Sequence, residues 1–222
     1  MDGDLMAKRS MMDQFHELKE ANPGTILFFR MGDFYELFHE DAEIGSNVLG
    51  LALTSRDKKA ERPIPMAGFP WHQLEENLRI MLRSGYKVTV AEQEEELREG
   101  AKLLERVVTR IYTPGSLYEE SLIGSDSSAL LCSLLVDQDT AAVSMIDAST
   151  GQAWAVCFHG EEKWASLCDE VMRWNPSELV LTPQDAERDE VLHLLSMLDS
   201  VVVSQHSIQT KRAHERLKAM LE

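Results

Sequence analysis

Met11, Phe15 and Leu18 recur at helical spacing, so residues 10–21 read as an amphipathic helix that Pro23-Gly24 stops. The period then changes. Ile26-Leu27-Phe28-Phe29 is a short apolar run between turn residues and predicts a strand buried on both faces. Gly32-Asp33 predicts a turn into a second helix, with Leu37, Phe38, Ala42, Gly45, Val48 and Leu49 on its buried side and an end near Gly50. Residues 51–54 resume as a strand, whereas the prolines of 63–70 allow at most an edge strand. Leu74, Leu78, Met81 and Leu82 mark a helix closed by Gly85 as a left-handed cap. Strand-like alternation returns at 87–91 and 107–112, on either side of an acidic stretch at 92–99. Thr113-Pro114-Gly115 ends a first domain of about 8–115, and 116–128, rich in Ser, Gly and Asp, reads as a linker.

Three further strand candidates, 129–136, 141–147 and 153–158, are joined by turn residues and predict a meander. A helix at 163–174, a strand at 179–181, a helix at 186–198, a strand at 201–203 and a helix from about Ile208 follow. This order suggests a second α/β domain, 129–222, of ribonuclease H type, so the expected fold class is α/β in two domains.

A chain of 222 residues with 44% hydrophobic and 27% charged side chains has room for two such cores. Cys132, Cys157 and Cys168 show no C-x-x-C spacing and read as reduced thiols. No apolar run approaches a membrane span and no signal segment is evident, so a cytoplasmic location is expected. The net charge of −16 changes the picture most. Residues 1–124 carry 15 basic and 22 acidic side chains, and 125–222 carry 7 and 16, so neither half is basic. Such a chain repels a polyanion at long range and can meet one only locally, with weak affinity, or with help from basic surface elsewhere.

The most informative stretch is F-F-R-M-G-D-F-Y-E-L-F, from Phe28 to Phe38. One reading makes Asp33 a helix N-cap and Glu36 its partner in an acidic capping box, with Phe34 packed beside Leu37 and Phe38. The stretch, continued by H-E-D-A, also resembles the signature of the MutS mismatch-recognition domain, which carries a Phe-x-Glu pair. Three more motifs similar to that family follow in order: 63–70 with Trp71-His72, Ala91-Glu92-Gln93, and 106–115. The resemblance covers about 100 residues and puts Phe34 and Glu36 at the Phe-x-Glu positions.

It implies that the Phe34 ring wedges into the minor groove of duplex DNA and stacks on a mispaired base. Parting stacked bases costs a few kcal/mol, least where pairing is already poor, so a wedge turns local weakness of the duplex into selectivity. Stacking on the ring returns about 1–3 kcal/mol. Glu36 is less simple, because an ionised carboxylate is repelled by phosphates and cannot donate to a purine N7. Either it accepts from a base N–H exposed by mispairing, or it is protonated, its pKa raised by burial and negative surroundings. Its repulsion from ordinary duplex would count against matched DNA.

The resemblance also carries over Met31, Asp33, Tyr35, Arg56, Met66, Arg106 and Arg110 as neighbours of the groove or backbone. Met31 and Met66 fit core filling equally well. Arg56 with Lys58, Lys59 and Arg62 also fits a solvated loop. The chain departs from the family at 94–100, where acidic residues replace an E-D-P-rich segment, and at Ser116, where Thr commonly stands.

In this family a ribonuclease H-like connector follows, in agreement with Ile146 to Gly151 and Asn175 to Leu179. A two-metal nuclease needs a carboxylate within its first strand, and Ala-Leu-Leu-Cys-Ser-Leu-Leu-Val has none. Asp137 and Asp139 lie past that strand, and Asp147 reads as a strand-end cap. The chain contains no G-x-x-x-x-G-K-[ST] loop, and its histidines show no metal-ligand spacing. The resemblance therefore implies a recognition module without catalytic or metal residues, acting on mismatched duplex DNA. ATP and Mg belong to an ATPase domain elsewhere, and partnership includes a homodimer through C-terminal domains and a MutL-family repair protein. Nucleoid association without membrane contact is implied as well. Two readings compete: a ribonuclease H-like nuclease, and an interaction-only module, favoured by the charge, that is indifferent to mispairing.

Overall fold

The structure, a computed structural model, describes residues 10–56, 61–94, 104–116, 129–198, 201–207 and 210–221. Lys58, Lys59, the acidic run 95–99, linker residues 117–128 and Ile208 lie outside the described residues. The chain divides between Thr113 and Pro114 into two compact units, so Pro114 and Gly115 group with the second.

The first unit begins with α1 (Met11–Ala21). Ser10 Oγ accepts from the Asp13 N–H at 3.2 Å while the Asp13 carboxylate accepts from the Ser10 N–H at 2.7 Å, a reciprocal cap. Then come β1 (Thr25–Met31), β2 (Phe34–Phe38), α2 (His39–Leu49), β3 (Thr54–Arg56), β4 (Ile64–Pro70), a 3-10 turn (Trp71–Gln73), α3 (Leu74–Arg83), β5 (Lys87–Gln93) and β6 (Arg106–Tyr112). The sheet order is β3-β4-β2-β1-β5-β6, antiparallel except for the parallel β1–β5 pair. Leu27, Phe29, Phe38 and Ala91 form one face with Met11 and Phe15 of α1 on it. Phe28, Tyr35 and Phe69 stack together on the other. Gly45 lets α2 approach that second face, since a Cβ there would lie 2.7 Å from Leu37 Cδ2. Buried Asp41 joins the layers, accepting from Lys19 Nζ at 2.6 Å and from the Leu27 N–H at 2.9 Å.

Three expectations are corrected. The second helix starts only at His39, because Phe34–Phe38 is a strand. Gly32, at φ +58°, and Asp33 form a two-residue hairpin loop between Met31 and Phe34. Pairing of β2 on both edges outweighs the single helix cap that the D-x-x-E spacing suggested, and Gly50, at φ +69°, does end α2. Next, the strand expected at 51–54 starts at Thr54. Finally, β4 is interior to the sheet rather than an edge. Its prolines fit because Pro65 precedes the β2 ladder, which starts at Met66, and Pro70 is the last pair of that ladder.

The second unit runs from a 3-10 turn (Pro114–Ser116) through β7 (Leu130–Val136), β8 (Thr140–Asp147), β9 (Ala153–His159), α4 (Lys163–Trp174), β10 (Glu178–Leu181), a 3-10 turn (Asp185–Glu187), α5 (Asp189–Met197), β11 (Val202–Gln205) and α6 (Thr210–Leu221). Its sheet order is β11-β10-β7-β8-β9, with an antiparallel meander from β7 to β9 and parallel β7, β10 and β11. The predicted helix 186–198 is interrupted at Arg188, where Asp185 holds both Thr182 Oγ1 at 2.8 Å and the Arg188 guanidinium at 3.0 Å. Asp147 does cap its strand, accepting from the Ser149 hydroxyl at 2.6 Å and the Ser149 N–H at 2.9 Å. Both sheets are mixed, which gives the α/β class. Among the described residues no helix is long and apolar enough to cross a membrane.

Candidate nucleic-acid interface

Register decides which candidate side chains meet. Met31 lies across from Phe34 and Phe34 from Pro70; Phe29 lies across from Glu36 and Glu36 from Gly68. Met66 pairs with both Phe38 and Thr54, two residues from Arg56. Paired residues share a face, and so do residues two apart, so Met31, Phe34, Glu36, Arg56 and Met66 occupy the face on which α1 packs. At the hairpin tip Phe34 is 47% exposed, whereas Phe15, Phe28, Phe29, Phe38 and Phe69 of the same unit are buried.

Tyr35 points to the opposite face and is 1% exposed. Its hydroxyl donates to the Glu92 carboxylate. Burial first, and then that carboxylate, push the phenol above its ordinary range. The Arg30 Cζ lies 5.4 Å from the Tyr35 ring centroid and 5.2 Å from that of Trp71. Arg30 Nε donates to the Gly32 carbonyl at 2.6 Å, and the Trp71 N–H donates to the Asp33 carbonyl at 2.9 Å. Asp33 thus holds the turn through its backbone, its side chain exposed, rather than capping a helix.

Glu36 is half-buried, and loss of water raises its carboxyl pKa against the opposing pull of Arg56 and Arg106. Gly68, which the sequence reading did not single out, makes this position possible. A Cβ on Gly68 would lie 2.9 Å from the Tyr35 carbonyl oxygen and 3.6 Å from Glu36 Cγ. A glycine inside a strand is the signal that marks such a close approach.

Arg106 is placed differently from a groove contact: it is 7% exposed. Its Nε donates to the Arg30 carbonyl at 3.2 Å, Nη1 to the Leu104 carbonyl at 2.7 Å and Nη2 to Gln93 Oε1 at 3.0 Å. The guanidinium carbon lies 5.4 Å from the Phe29 ring centroid. Gln93 Oε1 also accepts from the Gly32 N–H at 3.3 Å, so Arg106 braces the hairpin from within. Gln93, too, was missed as a site residue. Arg110 is not brought to the cluster: a bulge between Val90 and Ala91 puts it across from Val90, on the sheet's other side, with its guanidinium 4.7 Å from the Tyr112 ring centroid. Met31 and Met66 are half-buried against the α1 core, as filler residues are. Arg56 rests 6.0 Å from the Phe38 ring centroid. Among the described residues no group of three His, Cys, Asp or Glu side chains could hold a metal ion.

The family model described as MutS domain I matches residues 9–121. A relative from Syntrophomonas wolfei, the DNA mismatch repair protein MutS, is 40% identical over 171 residues, which are 77% of this chain and 20% of that protein. Proteins of the same name from Desulforamulus reducens and Staphylococcus aureus are each 34% identical, over 89% and 90% of this chain and 23% and 22% of theirs. The chain thus spans about a fifth of the length of these relatives. The family model covers just over half of the chain, including the whole hairpin that carries Phe34 and Glu36, and this chain belongs to the MutS family.

Proposed function

We propose that this chain recognises mispaired or unpaired bases in duplex DNA by inserting Phe34 into the minor groove, with Glu36 contacting the mispaired base. The observation that carries the reading is the Phe34 ring, exposed at the tip of a hairpin whose turn is held by Arg30, Trp71 and Gln93. A rigid, uncovered aromatic is what unstacking a weak base step requires. The raised carboxyl of Glu36 supports the protonated option: its O–H donates to a base acceptor when the groove closes over it. Arg106 acts as a positioning residue behind the hairpin.

The second unit is a ribonuclease H-like connector. Its meander followed by parallel β10 and β11 supports that topology, and β7 carries no carboxylate for metal chemistry. The similarity to DNA mismatch repair proteins supports a role in that process. ATP and Mg would be held by sequence outside these 222 residues, which contain no phosphate loop. A homodimer formed through that outside sequence, a MutL-family partner and work at the nucleoid belong to the same reading.

Fluorescence anisotropy with matched and mismatched duplexes tests it. Wild type prefers the mismatch, Phe34→Ala loses the preference, and Glu36→Gln narrows it mainly by tightening on matched DNA. Equal losses on both duplexes, or a wild type without preference, would favour the interaction-only reading.

A further inference from the structure

We propose that Trp71 and Arg30 form a second duplex contact, gripping the deoxyribose-phosphate strand that borders the groove entered by Phe34. The inference rests on the wedge reading above.

Trp71 is 51% exposed, an unusual position for an indole, yet it is firmly held. Its backbone N–H donates to the Asp33 carbonyl at 2.9 Å, which fixes its main chain, and its ring lies 5.2 Å from the Arg30 guanidinium carbon, which contacts Tyr35 as well. The cation therefore lies against two rings, with Nε fixed on the Gly32 carbonyl at 2.6 Å. A guanidinium immobilised in this way has little entropy left to lose on meeting a phosphate.

Placement adds the second argument. Phe34 pairs with Pro70, the residue before Trp71, whereas Arg30 pairs with Tyr35 and so belongs to the other face of the hairpin. Phe34 and the Trp71–Arg30 stack therefore flank one turn from opposite sides. A hairpin whose tip enters the minor groove turns one flank toward a bordering strand. That flank offers an apolar ring for the sugar and a cation for the phosphate. Neither group reads a base, so the contact strengthens matched and mismatched binding alike. It also supplies local attraction on a chain whose net charge is −16.

The test uses the 222-residue chain, labelled matched and mismatched duplexes, and a salt series. Trp71→Ala should weaken binding to both duplexes by the same roughly three- to tenfold, leaving their ratio unchanged, with Trp71→Phe recovering most of the loss. Arg30→Gln should lower the slope of log K against log salt by about 1, a readout that a loosened turn does not move. Unchanged affinity in Trp71→Ala, a change in the ratio alone, or an unchanged slope in Arg30→Gln overturns the proposal. Phe34→Ala, run alongside, separates the two ideas. Retained preference in that variant sinks the wedge, whereas lost preference with a silent Trp71→Ala sinks only the second contact. A wild type that binds neither duplex sinks both.

Discussion

Arg106 distinguishes a brace from a groove contact, and Arg106→Ala puts a magnitude on the difference. Three side-chain hydrogen bonds, at 2.7, 3.0 and 3.2 Å, and the stack on Phe29 would be lost. Each bond from a charged donor is worth about 1.5–3 kcal/mol, and the sum is offset by relief of a buried charge. A net loss of about 3 kcal/mol follows, felt where Arg30 and Gln93 lose their partner. Hydrogen exchange of the β1 and β5 amides reports on the first unit alone, and protection there should fall on the order of 100-fold. Arg106→Lys keeps the charge without the fork and should recover less than half of the loss. Unchanged protection together with weakened DNA binding would refute the brace and restore Arg106 to the groove.

Gly68→Ala drives a Cβ to within 2.9 Å of the Tyr35 carbonyl and should cost about 1–3 kcal/mol in chemical denaturation, with mismatch preference falling more than matched binding; a silent variant would contradict the close-approach argument. Tyr35 keeps its proton in the fold at pH values where an unfolded phenol, near 10.0, loses it, so folding stability falls as pH rises past that value. Melting temperatures at pH 9 and 11 should show a smaller drop for Tyr35→Phe than for wild type, and equal drops would argue against it. If Glu36 donates, mismatch binding takes up a proton, so affinity rises as pH falls toward its raised carboxyl value while Glu36→Gln stays flat; a flat wild-type profile would leave Glu36 as an acceptor.

The second unit was read well, because β7, β8 and β9 are apolar stretches separated by turn residues and α4 occupies the predicted residues 163–174. The reading failed at Phe34–Phe38, where D-x-x-E imitates a cap, masking the two-residue hairpin to β1, and where the other partner, β4, is distant in sequence. The same blindness made β4 an edge, since the prolines gave no sign that the β2 ladder runs only from Met66 to Pro70 and that Pro65 is accommodated opposite Ser55 of the short β3. Phe34 and Glu36 were legible through motif resemblance, and their common face follows from the strand that periodicity missed. Arg106 was legible as a motif residue but not as a buried one, because its hydrogen-bond partners come from β1, β5 and its own approach segment. Gly68 and Gln93 carried only weak local signals.

The central claim is that the Phe34 ring enters the duplex at a weak base step. A fluorescent purine analogue placed beside a mismatch reads this directly, because unstacking relieves its quenching. Binding of the wild-type chain should raise the emission and binding of Phe34→Ala should not. Equal emission from the two at saturation would contradict the account.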